Sequence, residues 1–100
     1  MSYELKLHRD VEKQLERIPK KQRGRLVETM RSLRIEPRPA GCVKLEDQLY
    51  RIRQGQYRII YAIFDDEVVV VVCKVALRTE RTYRDLREML DRAIQEIRKE

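Results

Sequence analysis

The 100-residue chain contains no tryptophan, one phenylalanine, one histidine and two cysteines. Cys42 and Cys73 form no CxxC motif and have no histidine near them in the sequence, so we expect neither a metal site nor another cofactor. Cys73 belongs to an apolar run and Cys42 to a segment with proline and glycine. This pattern favours two reduced thiols in a cytoplasmic protein.

Long apolar runs are also absent. No run reaches the length of a membrane span, and the first residues lack the basic and apolar regions of a signal peptide. We therefore expect a protein that stays in the cytoplasm and has no membrane partner. Breaker residues cluster only in residues 36–41, which predicts one loop within a single domain over residues 1–100.

Charge, in contrast, is abundant. Charged residues make up 40% of the chain, and the formal net charge is +6. Such a balance favours an anionic partner, which would be nucleic acid, an acidic protein or a membrane surface. Basic charge is also common in small soluble domains, so the charge by itself does not identify which of these partners binds.

The N-terminal third predicts a strand and two helices. Residues 3–7 alternate in polarity, as in a half-buried edge strand, and His8 is expected at the surface. Asp10 is the predicted N-cap of the first helix, and Pro19 separates it from the second. Apolar residues at helical spacing predict a helical hairpin that covers one face of a sheet: Val11, Leu15, Ile18, Leu26, Val27, Met30 and Leu33.

Two alternating runs on either side of Gln54 and Gly55 predict a β-hairpin. If these two residues form the turn, Arg51 lies opposite Arg58. Paired residues share a face, and the face repeats every second residue. Three arginines then share one face, namely Arg51, Arg53 and Arg58, while the other face is apolar, with Tyr50, Ile52, Tyr57, Ile59 and Tyr61.

Residues 68–73 are apolar at every position, which predicts an interior strand buried on both faces. If Asp65 and Asp66 form a two-residue turn, Cys73 lies opposite Arg58, and the arginine face is apolar away from the arginines. An amphipathic helix over about residues 83–98 would either cover this apolar part or bind another chain. The predicted class is α+β, with an N-terminal strand and helical hairpin packed on a small, mostly antiparallel sheet, plus a C-terminal helix.

Basic residues are predicted to converge at one end of this sheet. Arg78 and Arg81 follow the last strand, Lys44 precedes the hairpin, and Tyr83 adds a phenol that can stack on a base. Arginine holds phosphate oxygens with a planar fork that never loses its charge. This pattern indicates a site for single-stranded RNA. From the residues alone, a solvated strand face remains the simpler alternative.

Several of these residues resemble the RelE/ParE superfamily of bacterial and archaeal toxins. The resemblance rests on Lys44-Leu45, on the hairpin 49–61 with its Tyr57-Arg58-Ile59-Ile60-Tyr61 core, and on Arg78 and Tyr83 after an apolar strand. It implies a RelE-like sheet packed on a helical hairpin, and an antitoxin that neutralises the toxin. RelE-like members cut mRNA in the ribosomal A site, whereas ParE-like members inhibit DNA gyrase.

The resemblance also implies roles for individual residues. Arg58 and Arg78 match the arginines that contact the scissile phosphate, and Tyr83 matches the tyrosine that orients the substrate. Arg51 and Arg53 fall where RelE itself carries lysines. The implied catalytic residues are Arg51, Arg53, Arg58, Arg78 and Tyr83, and the RNA-binding residues are Lys44, Arg51, Arg53 and Arg81.

The predicted activity is that of a ribosome-dependent endoribonuclease in which the ribose 2′-hydroxyl attacks phosphorus. Arginine suits stabilisation of the added charge but is a poor general base. Lys44 and Tyr83 are the candidates for the base, and Lys74 is expected to point to the other face. The alternatives are a ParE-like gyrase inhibitor and an inactive homologue that only binds antitoxin.

Overall fold

The computed structural model describes residues 2–80 and 85–98. The elements follow in the order β1 (Glu4–Leu7), α1 (Arg9–Glu16), α2 (Lys20–Ser32), β2 (Val43–Glu46), β3 (Leu49–Gln54), β4 (Tyr57–Phe64), β5 (Val69–Leu77) and α3 (Leu86–Ile97). The strands form one sheet in the order β1-β5-β4-β3-β2, in which β1 is parallel to β5 and the other neighbours are antiparallel. The predicted α+β fold is therefore confirmed. Among the helices formed by the described residues, none is long and apolar enough to cross a membrane.

The helical hairpin begins at an unexpected cap. His8, not Asp10, is the N-cap of α1, and its Nδ1 accepts a hydrogen bond from the Asp10 N–H at 3.2 Å. His8 is only 9% exposed, so its expected surface position is also wrong. Asp10 lies within the first turn of the helix. Its carboxylate interacts favourably with the helix dipole there, but Asp10 does not occupy the N-cap position, from which a side chain accepts hydrogen bonds from the first N–H groups.

The sheet is covered on both faces by separate hydrophobic cores. We call the face packed on α1 and α2 the back face; its buried strand residues are Ile59, Tyr61, Ile63, Val70, Val72 and Val75. We call the other the front face, where α3 packs through Met89, Leu90 and Ala93 on Leu49, Ile60, Ala62, Val69, Val71 and Cys73. The C-terminal helix thus folds back on its own sheet.

The β3–β4 hairpin turns one residue later than predicted. Gln54 pairs with Tyr57 and Arg53 with Arg58, so the turn residues are Gly55 and Gln56. Gly55 has φ 61°, a conformation that glycine adopts without steric cost. The predicted opposition of Arg51 and Arg58 is therefore wrong. Because both strands shift by one residue, the parity is kept, and the three hairpin arginines share the front face as predicted.

The β4–β5 connection differs more. Phe64 pairs with Val69, so the loop has four residues, and Arg58 lies opposite Ala76 rather than Cys73. A β-bulge also interrupts the ladder, since Tyr61 pairs with Val72 and Ile60 with Lys74. The extra residue reverses the later alternation and brings Lys74 to the front face. The expectation that Lys74 points to the other face is therefore wrong.

The two thiols differ sharply in environment. Cys73 is fully buried between the sheet and α3, and this burial raises the pKa of its thiol to about 12. Cys42 is half-buried. Because the thiolate is the nucleophile, we expect Cys42 to react with a disulfide reagent at neutral pH and Cys73 to react only after unfolding. Mass spectrometry of the labelled peptides would check the order, and early labelling of Cys73 would contradict this packing.

Candidate functional site

The strand register arranges the basic residues of the front face in two rows. One row runs Arg51–Ile60–Lys74 across β3, β4 and β5, and the next runs Arg53–Arg58–Ala76. Neighbouring strands lie about 4.8 Å apart, so each row spans about 10 Å. Four cations thus occupy a patch of the size of one or two phosphate groups.

Two of these cations face each other directly. Arg53 is exposed and lies opposite the half-buried Arg58. Like charges placed directly opposite in a sheet destabilise it. Arg58 Nη1 also donates to the Glu80 carbonyl at 3.4 Å, so the chain that follows β5 returns to this guanidinium.

Arg78 joins the patch at the end of β5. Its backbone N–H donates to the Gln56 carbonyl at 2.9 Å, which extends the β4–β5 ladder by one position beyond Leu77. Arg78 is exposed and lies diagonal to Arg58 across the strand pair. The structure therefore brings together four of the arginines that the sequence singles out: Arg51, Arg53, Arg58 and Arg78.

The salt bridges formed among the described residues, 2–80 and 85–98, lie away from Arg51, Arg53 and Arg78, and none of them involves these three arginines. The Nε atom of Arg51 is buried and has no hydrogen-bond partner in this part of the chain. These guanidinium groups are therefore open to an anionic ligand, and each can hold two phosphate oxygens at once.

A separate polar network lies at the far end of β4. Arg38 Nη2 contacts Asp65 at 2.8 Å, and the Tyr3 hydroxyl donates to the same carboxylate at 2.7 Å. Hydrogen bonds from Arg38 and then Tyr3 lower the pKa of Asp65. Because Arg38 already balances the negative charge of Asp65 at neutral pH, we interpret the network as a structural connection between β1, β4 and the loop that carries Arg38.

Three other predicted residues have different outcomes. Lys44 pairs with Tyr50, so its side chain leaves β2 toward the back face. Its predicted convergence with the arginines is wrong, because the β2–β3 register places it one residue out of phase. Arg81 and Tyr83 lie outside the described residues, and their roles remain predictions. Lys74, which sequence reasoning set aside, is the addition to the site.

The chemistry of this site is that of charge stabilisation. The described residues contain no group of three or more His, Cys, Asp or Glu that would hold a metal ion. Clustered guanidinium groups bind a phosphodiester and stabilise the extra negative charge that develops when its phosphorus is attacked. A guanidinium group does not accept a proton, so the arginines alone do not complete a cleavage site.

Comparison with protein families supports the same kinship. Residues 5–82 match the family model of the ParE toxin of the type II toxin–antitoxin system parDE. The RelE1 protein of Methanocaldococcus jannaschii is 26% identical over 90 residues, which cover 85% of this chain and 99% of that protein.

Solved structures agree with this match. The archaeal RelE–RelB complex from Pyrococcus horikoshii OT3 contains a chain with a TM-score of 0.74 and 34% identity, covering 80% of this chain and 99% of that one. The intact E. coli RelBE toxin–antitoxin complex gives a TM-score of 0.68 at 25% identity, over 80% of this chain and 100% of that one. The chain therefore belongs to the RelE/ParE superfamily of toxins from type II toxin–antitoxin systems.

Proposed function

We propose that this toxin is a ribosome-dependent endoribonuclease that cuts mRNA and so inhibits translation. The observation that carries the proposal is the convergence of Arg51, Arg53, Arg58 and Arg78 on the front face, with Arg53 directly opposite Arg58. A phosphodiester bound between these groups would offset their mutual repulsion. A purely solvated strand face gives no reason for this concentration of guanidinium groups, three of which, Arg51, Arg53 and Arg78, form no salt bridge within the described residues.

The reaction fits the chemistry of the patch. The ribose 2′-hydroxyl attacks the adjacent phosphorus, the bond from phosphorus to the 5′-oxygen breaks, and a cyclic phosphate remains. Arg58 and Arg78 hold the phosphate oxygens and stabilise the added charge in the transition state. The ribosome contributes by holding the mRNA in the geometry for attack, which lowers the entropic part of the barrier. Tyr83 is expected to orient the substrate base.

A cognate antitoxin is the second partner of this proposal. The Pyrococcus horikoshii protein, at 34% identity, is solved in complex with RelB. This chain carries a net charge of +6, which would favour an acidic antitoxin. We therefore expect a neighbouring gene to encode a small acidic protein that binds and neutralises this toxin in the cytoplasm.

One specific observation favours a different target. The family model that matches residues 5–82 is that of the ParE toxin, and the residues that fall where RelE itself carries lysines are Arg51 and Arg53. A ParE-like toxin would act on DNA gyrase through protein contacts and would need no general base. An inactive homologue would keep only antitoxin binding.

Translation of a defined mRNA with the purified protein tests these functions. Primer extension would map cuts with translating ribosomes and with the mRNA alone. We expect cuts only in the presence of ribosomes, and their suppression when the antitoxin is added. If folded protein produces no cuts under either condition but inhibits DNA supercoiling by gyrase, the ParE-like function replaces the proposal.

A further inference from the structure

The described cations of the site include one amine among the guanidinium groups. Arg51, Arg53, Arg58 and Arg78 stay charged throughout the physiological range. Lys74 lies on the same face, and an amine can exist in the neutral form that accepts a proton. Resting on the ribonuclease function proposed above, we propose that Lys74 is the general base that takes the proton of the attacking 2′-hydroxyl.

The β-bulge in β5 is the structural basis of this assignment. Because β5 contains one extra residue at the bulge, Lys74 pairs with Ile60 and shares the front face. Without the bulge, alternation would turn Lys74 to the back face, where Val72 and Val75 lie in the hydrophobic core. Bulges of this kind re-aim single side chains and are frequent beside active sites.

The distances suit a shared ligand. Arg58 pairs with Ala76, so Lys74 is its diagonal neighbour on β5. Diagonal positions lie about 7–8 Å apart in an antiparallel pair, which is within reach of long side chains. The amine of Lys74 and the guanidinium of Arg58 can therefore meet at one phosphodiester, with the amine at the ribose and the guanidinium at the phosphate oxygens.

Neighbouring residues fix the backbone of β5 beside Lys74 but do not hold the Lys74 amine in a salt bridge within the described segments. The Gln14 side chain accepts a hydrogen bond from the Val75 N–H at 2.9 Å, just past the bulge and beyond the end of β1. Lys74 is half-buried, and across the described segments no carboxylate forms a salt bridge with it. The backbone is thus fixed, while the amine is available to substrate.

The proposed step is balanced without a metal. The neutral Lys74 amine takes the 2′-hydroxyl proton as the 2′-oxygen bonds to phosphorus and the bond to the 5′-oxygen breaks. The 5′-oxygen takes a proton from solvent water, and the resulting hydroxide removes the proton from the Lys74 ammonium. General base catalysis of this type contributes about 10²–10⁴-fold to a rate.

Lys74→Arg distinguishes proton transfer by residue 74 from the effect of its positive charge, because arginine keeps the charge but accepts no proton. We expect Lys74→Arg to bind ribosomes within about twofold of wild type and to lose about 100-fold or more in the single-turnover rate of mRNA cleavage. The limb of the wild-type pH–rate profile that rises with pH should also disappear. Lys13→Arg, the same change at an exposed position of α1, should retain the wild-type rate and profile.

A second variant guards against misfolding. Lys74→Ala should be inactive, and added ethylamine should restore part of its cleavage rate. Near wild-type cleavage by Lys74→Arg would overturn the assignment, as would Lys74→Ala activity that does not respond to amine. If wild-type protein itself makes no ribosome-dependent cut, the ribonuclease function fails, and the role of Lys74 fails with it.

Discussion

Replacing Arg58 and Arg78 together by alanine should abolish mRNA cleavage and growth inhibition while leaving the protein folded. Each guanidinium would stabilise charge that develops on the phosphate in the transition state, and loss of one such donor costs about 10²–10³-fold in rate. We therefore expect the double variant to lose at least about 10³-fold in single-turnover cleavage on translating ribosomes.

Folding should survive this change for structural reasons. Arg78 is exposed, and removal of the Arg58 charge relieves its direct opposition to Arg53. Far-UV circular dichroism and urea unfolding would verify that the variant is native. A folded double variant that still cleaves mRNA at the wild-type rate would exclude the front-face site.

A matched control separates the site from general charge. Arg31→Ala with Arg34→Ala also removes two positive charges, from exposed positions at and just after the C-terminal end of α2, which packs on the back face and reaches Tyr3 rather than the hairpin turn. Local charges at the reacting phosphate matter far more than net charge at a distance, because salt screens exposed charges beyond about 10 Å. We expect this control to keep its cleavage activity, and an equal loss would indicate non-specific attraction to RNA.

Tyr61→Ala should cost about 3–5 kcal/mol in the free energy of unfolding, the range for removal of a large buried aromatic side chain. Tyr61 is fully buried, its hydroxyl donates to the Pro37 carbonyl at 2.8 Å, and its ring stacks on Tyr50 with centroids 6.0 Å apart. It therefore joins β4 to β3 and to the loop after α2. A loss of this size is a large share of the stability of a 100-residue domain.

Tyr61→Phe is the control that keeps the ring and removes the hydrogen bond. We expect it to cost about 1–3 kcal/mol, because the Pro37 carbonyl is left without its buried partner. Urea unfolding followed by circular dichroism gives both values if the m-values are unchanged. A cost below about 1 kcal/mol for Tyr61→Ala would contradict the packing around β4.

The buried hydroxyl of Tyr61 also predicts that the free energy of unfolding decreases at alkaline pH. Burial is the main cause that raises the pKa of Tyr61 above its ordinary value. The unfolded chain therefore ionises first, so the contribution of Tyr61 is fully present below the unfolded pKa of about 10 and declines as pH rises through the folded pKa. Tyr61→Phe should flatten this decline.

The sequence alone determined most of the fold, because alternation and helical spacing are local properties. The edge strand over residues 3–7, the helical hairpin and the amphipathic C-terminal helix follow from periodicity. The shared face of Arg51, Arg53 and Arg58 was predictable even though the turn was assigned one residue early. A shift of one residue on both strands changes the partners but leaves the parity intact.

Only the tertiary structure decided what depends on pairing between distant residues. A β-bulge within an apolar run leaves no pattern in the sequence, because each apolar residue of the run can occupy a core position on either face. The bulge beside Lys74 was therefore not predictable from the sequence. The four-residue β4–β5 loop and the back-face position of Lys44 are likewise set by hydrogen bonds between strands. Register is a non-local property, and a change of one residue in one strand reverses every later side chain. The arginines of the site were therefore readable from the sequence, whereas the lysine beside them was not.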